Sequence, residues 1–187
     1  MAEKRKNWNG LISGFSASDL VFLDESGCNT DMTRRYAYSF GGSRAVDATP
    51  LSKPKNTTIL SSIQLNGTLH YTTFSGGTTV ERFKRYLETD LLPHLNSNSV
   101  LVMDNMKSHH AKAVKELLDS SGIRYIYLPP YSPDLNPIEK LWSKVKALLR
   151  KFQARTLDAL PNAIQNAFHS VTVSDCSGWF RFCGYTL

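Results

Sequence analysis

The chain has 187 residues, of which 41% are hydrophobic and 20% are charged, the composition of a single globular domain. It carries 22 Lys and Arg residues against 16 Asp and Glu residues, and this net charge of +6 suits a polyanionic partner without requiring one. No apolar run approaches the roughly 20 residues that span a bilayer, and three cysteines without a CxxC pair indicate neither a disulfide framework nor a zinc site. We therefore expect a cytoplasmic protein with reduced cysteines.

Two apolar runs each end in an aspartate. Residues 20–24 read LVFLD, and residues 100–104 read VLVMD. Four to five apolar residues in a row are typical of a strand that is buried on both faces, so Asp24 and Asp104 are expected where a central strand leaves the core. A carboxylate at such a place is either a turn former or a ligand.

Between these strands the pattern predicts a hairpin and a helix. The runs TTILSSIQL and TLHYTTF are separated by Asn66 and Gly67, a step that favours a tight turn in which both residues adopt positive φ. Thr78 and Glu81 have the spacing of a capping box, which would open the helical run VERFKRYLETDLLPHL.

After the second aspartate, helices and strands alternate. AKAVKELLDSSG predicts a helix that stops at Gly122, IRYIYL predicts a strand, and the loop PPYSPDLNP leads into a long helix from Pro137. TLDALPNAIQNAF predicts a further helix despite Pro161. By analogy, this order of elements matches the ribonuclease H-like fold, an α/β fold whose mixed sheet joins an antiparallel hairpin to parallel strands. In that fold the first and fourth strands are parallel neighbours, which would bring both aspartates to one sheet edge.

The long helix carries a third acidic residue, Glu139. Asn136, Pro137 and Glu139 occupy the N-cap, first and third positions of a helix start, so Glu139 taken alone is most simply a capping residue. Taken with the apolar arc of the helix, Glu139 lies just beside the side that must face the sheet. The arc consists of Ile138, Leu141, Trp142, Val145, Leu148, Leu149 and Phe152.

Basic residues form a stripe on another face of the same helix. Lys140, Lys144, Lys151 and Arg155 lie within an arc of roughly 60° on this helix. Arg34 and Arg35, in the loop after Asp24, are expected to extend the stripe. An ordinary solvated face explains such a stripe equally well, but beside an acidic site it predicts a track for DNA phosphates. The predicted DNA-binding residues are Arg34, Arg35, Lys140, Lys144, Lys151 and Arg155.

Other polar residues near the acids have simpler explanations. Glu25 points to the opposite sheet face from Asp24 if the strand continues. His109 and His110 are most simply a partly exposed surface pair near a helix start, and Trp142 is most simply a core residue.

Three segments together resemble a known family. FLDESG, VLVMDN and LPPYSPDLNPIEKLWSKVK are similar to the catalytic domain of DDE transposases, the DDE superfamily endonucleases, and specifically to the bacterial insertion-sequence branch of the mariner-like superfamily. Asp104 and Glu139 are separated by 34 residues, the spacing typical of that branch. The likeness runs from about Val21 to Tyr185 and includes ARTLDAL and GWFRFCGY.

The resemblance implies a catalytic and metal-binding triad of Asp24, Asp104 and Glu139. It implies two Mg²⁺ or Mn²⁺ ions, with Asp24 bridging both, and an activity of metal-dependent DNA strand cleavage and strand transfer of an insertion sequence. It also implies a homodimer, because two transposon ends must be joined.

The domain organisation departs from that of a complete relative, which carries helix-turn-helix domains ahead of the catalytic domain. Only 19 residues precede Leu20, too few for such a module. We expect a short basic extension over 1–19, a ribonuclease H-like catalytic domain over 20–187, and no N-terminal helix-turn-helix domain, that portion coming from an upstream frame. Two alternatives stay open: a truncated, non-catalytic regulator that binds DNA or pairs with a full-length transposase, and another ribonuclease H-like nuclease.

Overall fold

A five-stranded mixed sheet forms the centre of the computed structural model, which describes residues 2–34, 36–51 and 54–185. The strands are β1 Leu20–Cys28, β2 Thr57–Gln64, β3 Leu69–Ser75, β4 Val100–Met103 and β5 Arg124–Tyr127. The helices are α1 Ala2–Ile12, α2 Val80–Tyr86, α3 Lys112–Ser121, α4 Ile138–Phe152, α5 Leu160–His169 and α6 Val173–Phe182. Among these described helices, none is long and apolar enough to cross a membrane.

The strand order is β3-β2-β1-β4-β5, and β1 is the strand at which the antiparallel and parallel parts of the sheet meet. β1 pairs antiparallel with β2 and parallel with β4, and β4 pairs parallel with β5, as the element order predicted. The parallel pairing ends at Leu23 opposite Met103, so Asp24 and Asp104 each follow the last paired residue. The prediction that β1 ends at Asp24 is wrong, because β2 continues to pair with it as far as Cys28.

Side chains alternate across β1 and divide the buried residues into two clusters. Leu20 and Phe22 belong to a cluster that also receives residues from α1, α4, α5 and α6. Val21 and Leu23 belong to the other cluster, which α2 and α3 cover. Both faces of the central strands are therefore buried, which is why their sequences read as continuous apolar runs.

The β2–β3 hairpin is confirmed, but its turn differs from the one predicted. Gly67 adopts a φ of +87°, whereas Asn66 does not enter the positive-φ region. The Asn66 side chain instead accepts a hydrogen bond of 2.9 Å from Thr68 N, so it stabilises the turn through its own oxygen.

The helix after β3 also differs in detail. Its cap is Thr79, whose Oγ1 accepts from Arg82 N at 3.3 Å, so the predicted capping box beginning at Thr78 is wrong by one residue. The predicted single helix changes pitch, with π-type bonds over Leu87–Leu91 and 3₁₀ bonds over Leu92–His94. Pro93 lies in that last turn and lacks the N–H that would continue an α-helix.

The long helix and the elements around it largely match the pattern. α4 begins at Ile138, and its apolar arc is buried except at Leu148, which is partly buried, and Phe152, which is 42% exposed. Gly122 ends α3 with a φ of +70°, as predicted. α5 forms despite Pro161, because the proline lies in its first turn, where no N–H partner is lost.

The N-terminal segment, expected as a basic extension, contains a helix that packs on the core. Trp8 of α1 is only 3% exposed and belongs to the same cluster as Leu20 and Tyr185. The segment between β1 and β2 is different: in its described residues, 29–34, 36–51 and 54–56, it forms no strand and exposes several large apolar side chains.

Candidate active site

The three acidic residues singled out in the sequence lie on one pocket. Asp24 comes from β1, Asp104 from the turn after β4, and Glu139 from the first turn of α4. The pocket is open, has a volume of about 570 Å³ and is closed on one side by the loop over 128–133 and by Asn136. The parallel pairing of β1 with β4 and the crossing of α4 over their ends bring the three carboxylates together.

Asp24 is held through both of its carboxylate oxygens. Oδ1 accepts a hydrogen bond of 2.8 Å from Glu25 N, and Oδ2 accepts one of 3.1 Å from Trp142 Nε1. Burial, with added repulsion from Asp104 and Glu139, raises the pKa of Asp24 to about 7 despite these bonds. A partly buried carboxylate next to two others fits a site that a cation neutralises.

Trp142 has a role that the sequence pattern did not predict. It is a core residue, as expected, since it is 4% exposed, but its indole N–H also reaches the Asp24 carboxylate from α4. Its position three residues after Glu139 was the available signal, because residues three apart share a helix face.

Asp104 is held through a single oxygen. Its Oδ1 lies 2.8 Å from His109 Nδ1 and accepts a hydrogen bond of 3.0 Å from Met106 N. Burial alone would raise the pKa of Asp104, but the hydrogen bonds from His109 and Met106 and the nearby histidine charges outweigh it and hold the pKa below its ordinary value. Near neutral pH, Asp104 therefore stays ionised, whereas Asp24 is readily protonated.

The adjacent histidines do not form the surface pair that the sequence suggested. His109 is fully buried with its ring 4.2 Å from the Phe83 ring, whereas His110 is exposed and stacks on Tyr127 at 4.1 Å. His109 Nε2 also lies 3.3 Å from Glu25 Oε2. Glu25 thus faces away from Asp24, as predicted, but it contacts the histidine that holds Asp104.

The start of α4 does not use the capping arrangement predicted for it. Asn136 makes no side-chain cap; its backbone oxygen accepts from Glu139 N at 3.1 Å, and its own N–H donates to Pro133 O. Glu139 is exposed, and its carboxylate lines the pocket. Asn136 is 4% exposed and lines the same pocket, where its Oδ1 finds no hydrogen-bond partner among the described residues.

The loop that closes the pocket is contacted by α1. Arg5 Nη1 donates to Ser132 Oγ at 3.1 Å and to Asp134 Oδ1 at 3.0 Å, and Arg5 Nη2 pairs with Asp134 Oδ2. The loop leads directly into Asn136 and Glu139, so α1 contributes to the placement of the pocket wall.

Two lysines of the predicted basic stripe make contacts within the protein. Lys144 Nζ lies 2.6 Å from Asp175 Oδ2 and donates to Ser170 O at 2.9 Å, which ties α4 to the start of α6. Lys140 Nζ lies 3.8 Å from the centre of the Phe182 ring. These two lysines therefore have intramolecular partners that the sequence pattern did not reveal.

The remaining predicted DNA-binding residues have varied settings. Arg155 donates to the backbone oxygens of Thr30 and Met32, at 3.1 and 3.0 Å, and so fastens the segment after β1. Arg34 and Lys151 are exposed, and Arg35 lies outside the described residues. Contact with DNA stays a prediction for all six residues.

The pocket's donor set fits a hard divalent cation. Three carboxylates and the unpartnered amide oxygen of Asn136 line it, and oxygen ligands of this kind suit Mg²⁺ and Mn²⁺. As placed, no three His, Cys, Asp or Glu side chains within the described parts of the chain converge closely enough to hold one ion. The exposed Glu139 side chain is the member with room to move.

The sheet order and the three acids at its edge define a ribonuclease H-like fold with an acidic site of the kind that metal-dependent nucleases use. More specifically, the chain belongs to the DDE superfamily endonuclease family, whose model matches residues 19–161. This agrees with the resemblance seen in the sequence, although the bacterial branch within the family is not resolved.

Individual relatives agree with this family. The chain is 28% identical over 97 residues to the Tc1 transposase of Caenorhabditis elegans, covering 50% of this chain and 36% of that protein. It is 31% identical over 75 residues to the Tcb2 transposase of Caenorhabditis briggsae, covering 40% of this chain and 28% of that protein. The chain therefore spans well under half the length of these relatives.

Solved structures show the same fold. A paired-end complex of the Mos1 transposase with the left transposon end superposes with a TM-score of 0.80 at 22% identity, covering 96% of this chain and 57% of that one. The isolated catalytic domain of the Mos1 mariner transposase superposes with a TM-score of 0.68 at 16% identity, covering 98% of this chain and 88% of that domain. At these identities the likeness shows the ribonuclease H-like fold alone.

Proposed function

We propose that this chain is the catalytic domain of a transposase and that Asp24, Asp104 and Glu139 are its catalytic, metal-binding residues. The reaction is cleavage and strand transfer of the DNA of an insertion sequence. The observation that carries the proposal is that carboxylates from β1, from the end of β4 and from α4 line one open pocket in a chain of the DDE superfamily endonuclease family.

Two Mg²⁺ or Mn²⁺ ions, when bound, would activate the attacking oxygen and stabilise charge on the phosphate and the leaving oxygen. In support, a Mos1 paired-end complex has been solved with Mn. Asp24 would be the ligand that both ions share, because Asp104 and Glu139 both act on its carboxylate: their charges add to burial in raising its pKa to about 7.

The residues of the chain divide the remaining tasks. Trp142 and Glu25 N keep the Asp24 carboxylate in one orientation, and Met106 N and His109 do so for Asp104. Fixed ligands reduce the reorganisation needed during reaction. The open side of the pocket leaves room for a DNA strand between the loop over 128–133 and α4.

DNA is the proposed partner, and the chain would accordingly be DNA-associated in the cytoplasm. The net charge of +6 and the exposed Arg34 and Lys151 support binding to phosphates. The relative solved as a complex holds a transposon end. Arg35, Lys140, Lys144 and Arg155 are proposed as further contacts, which would require Lys144 and Arg155 to exchange their present partners.

A homodimer is the proposed active form, with end recognition supplied by a separate helix-turn-helix portion. The chain covers 57% of the Mos1 chain, which leaves room for such a portion in a complete relative. The segment between β1 and β2 supports pairing, because large apolar side chains there are more than 85% exposed. They are Tyr36, Tyr38, Phe40, Val46 and Leu51.

The test is nicking of supercoiled plasmid by the purified chain with Mg²⁺ or Mn²⁺, compared with Asp24→Asn, Asp104→Asn and Glu139→Gln variants. We expect cleavage to disappear in each variant while DNA affinity is kept or raised. Asp158→Asn is the matched control, since Asp158 is exposed before α5 and away from the pocket. Cleavage retained in all three variants would contradict the proposal, and Mn²⁺ binding without cleavage in the wild type would favour a regulator or an incomplete enzyme.

A further inference from the structure

A buried histidine joins two carboxylates at the edge of the candidate site. His109 lies in the turn between β4 and α3, with Nδ1 2.8 Å from Asp104 Oδ1 and Nε2 3.3 Å from Glu25 Oε2. Glu25 belongs to β1 and Asp104 follows β4, so the imidazole links the two central strands just beyond their last parallel pair, Leu23 opposite Met103. The side chain of Glu25 is only 12% exposed, so the His109–Glu25 contact lies inside the protein, whereas the Asp104 side chain is 46% exposed towards the pocket.

His109 is itself fixed from several directions. Its ring centre lies 4.2 Å from that of Phe83, its backbone N–H donates to Met106 O at 3.0 Å, and its backbone carbonyl accepts from Tyr127 OH at 3.0 Å. Rotation of the imidazole would break its 2.8 Å contact with Asp104 and move Nε2 away from Glu25 Oε2, with which it makes an ionic contact but no hydrogen bond. Because the ring has one orientation, its contact with Oδ1 also fixes the orientation of the Asp104 carboxylate.

These contacts make the two carboxylate oxygens of Asp104 inequivalent. The contacts from His109 and Met106 both reach Oδ1, which leaves Oδ2 as the oxygen available to a ligand in the pocket. Histidines that bind metals are commonly oriented by a carboxylate behind them, and such outer partners set how tightly the metal is held. Here the order is reversed, because the histidine lies behind the carboxylate.

A purely structural role explains the arrangement less well. Burying the His109 imidazole beside the Glu25 carboxylate removes two polar groups from water, and an apolar side chain against Phe83 would fill the space of the imidazole without that cost. The polar arrangement therefore needs a benefit other than packing.

We propose that His109 and Glu25 are positioning residues that fix the Asp104 carboxylate for divalent-metal binding. This inference rests on the proposed function, since it requires Asp104 to be a metal ligand. Neither residue touches the substrate or the ion in this arrangement; Glu25 orients His109, and His109 orients Asp104.

The test is Mn²⁺ affinity by titration calorimetry on the full chain, supported by the shift in Tm that saturating Mn²⁺ produces. His109→Leu removes both polar contacts and should weaken Mn²⁺ binding by roughly 10- to 100-fold, the usual effect of losing an outer partner of a metal ligand. His109→Asn keeps a donor at the position of Nδ1 and should restore much of that loss. Glu25→Gln, which preserves volume, should weaken binding by roughly tenfold.

His110→Asn is the control, because His110 is the neighbouring histidine but is exposed and stacks on Tyr127. We expect its Mn²⁺ affinity to match that of the wild type. If His109→Leu does not fold, His109→Asn and Glu25→Gln carry the test. Wild-type Mn²⁺ affinity in folded Glu25→Gln and in the folded His109 variants would overturn the inference.

Asp104→Ala separates failure of this inference from failure of the proposed function. Loss of Mn²⁺ binding in Asp104→Ala, with unchanged Mn²⁺ binding in the His109 and Glu25 variants, would contradict only the positioning role and leave the proposed metal site standing. Unchanged Mn²⁺ binding in Asp104→Ala, or no Mn²⁺ binding by the wild type, would remove the metal site and the positioning role together.

Discussion

Trp142 Nε1 donates a hydrogen bond of 3.1 Å to Asp24 Oδ2, and Trp142 lies one helical turn after Glu139. The first turn of α4 therefore presents one acid to the pocket while the next turn holds another acid in place. Because Trp142 is also buried among the residues of α5 and β1, any displacement of α4 would move both carboxylates relative to each other.

Replacing Trp142 by Phe tests this link. Phe preserves most of the packing but cannot donate to Asp24, so protonation of the carboxylate becomes easier and cleavage at neutral pH should fall roughly tenfold. The loss should shrink at higher pH, where Asp24 ionises again. The measurement is a pH–rate profile of plasmid nicking, and Trp179→Phe in α6 is the control; a profile that falls equally at every pH would contradict the role assigned to Trp142.

The stability of the metal-free protein should depend on pH through Asp24. Its pKa is raised to about 7 in the folded state, so between about pH 4 and 7 the folded state binds more protons than the unfolded state. The contribution of this group to the free energy of unfolding is therefore largest below about pH 4 and is lost as pH rises through 7.

Denaturant titrations of the wild type and Asp24→Asn, with chelator present, measure this contribution. The stability difference between the two proteins should change across the window from about pH 4 to 7 and become constant above it. Saturating Mn²⁺ should stabilise the wild type most at the upper end, because a cation replaces the proton. A stability difference that does not vary with pH would show that Asp24 is not perturbed.

Trp8→Ala tests whether α1 belongs to the folded domain. Trp8 is 3% exposed, and truncating a buried tryptophan in a core costs about 3–5 kcal/mol of unfolding free energy. Arg5→Gln should have a smaller effect, since its pair with Asp134 is exposed to solvent. Denaturant titration provides both values, and a Trp8→Ala variant as stable as the wild type would show that α1 is only an extension.

Lys144 and Lys151 should separate stability from DNA binding. Lys144→Gln breaks the contacts with Asp175 and Ser170 and should destabilise the fold by about 1–2 kcal/mol. Lys151→Gln should leave stability unchanged and weaken binding to any duplex. It should also reduce the magnitude of the negative slope of log affinity against log salt by about 1. The reverse pattern in binding and Tm measurements would contradict the roles assigned to these two lysines.

The cysteines should be unreactive while the protein is folded. Cys28, Cys176 and Cys183 are all free and buried, and burial raises the pKa of each thiol to about 11. A thiol-specific reagent at about pH 8 should therefore react slowly with the native protein. After denaturation it should react rapidly with all three thiols. Rapid reaction of any cysteine in the native state would show that its surroundings open.

Local patterns predicted most of the fold. The apolar runs before Asp24 and Asp104 identified the central strands, because a strand covered on both faces must be apolar throughout. The Asn66–Gly67 step identified the hairpin but not its turn, since the Asn66 side chain and the single positive φ at Gly67 satisfied the backbone in another way. The cap at Thr79 was misplaced by one residue because two threonines stand side by side.

The sequence by itself determined the alternation of strands and helices and placed three acids at the ends and starts of elements that could meet. Only the tertiary structure decided which side chains contact those acids: Trp142 at Asp24, and His109 with Glu25 behind Asp104. It also decided that Lys144 pairs with Asp175 and that Trp8 is buried. The reason is that periodicity reports the burial of a face, whereas a partner depends on where elements distant in sequence cross.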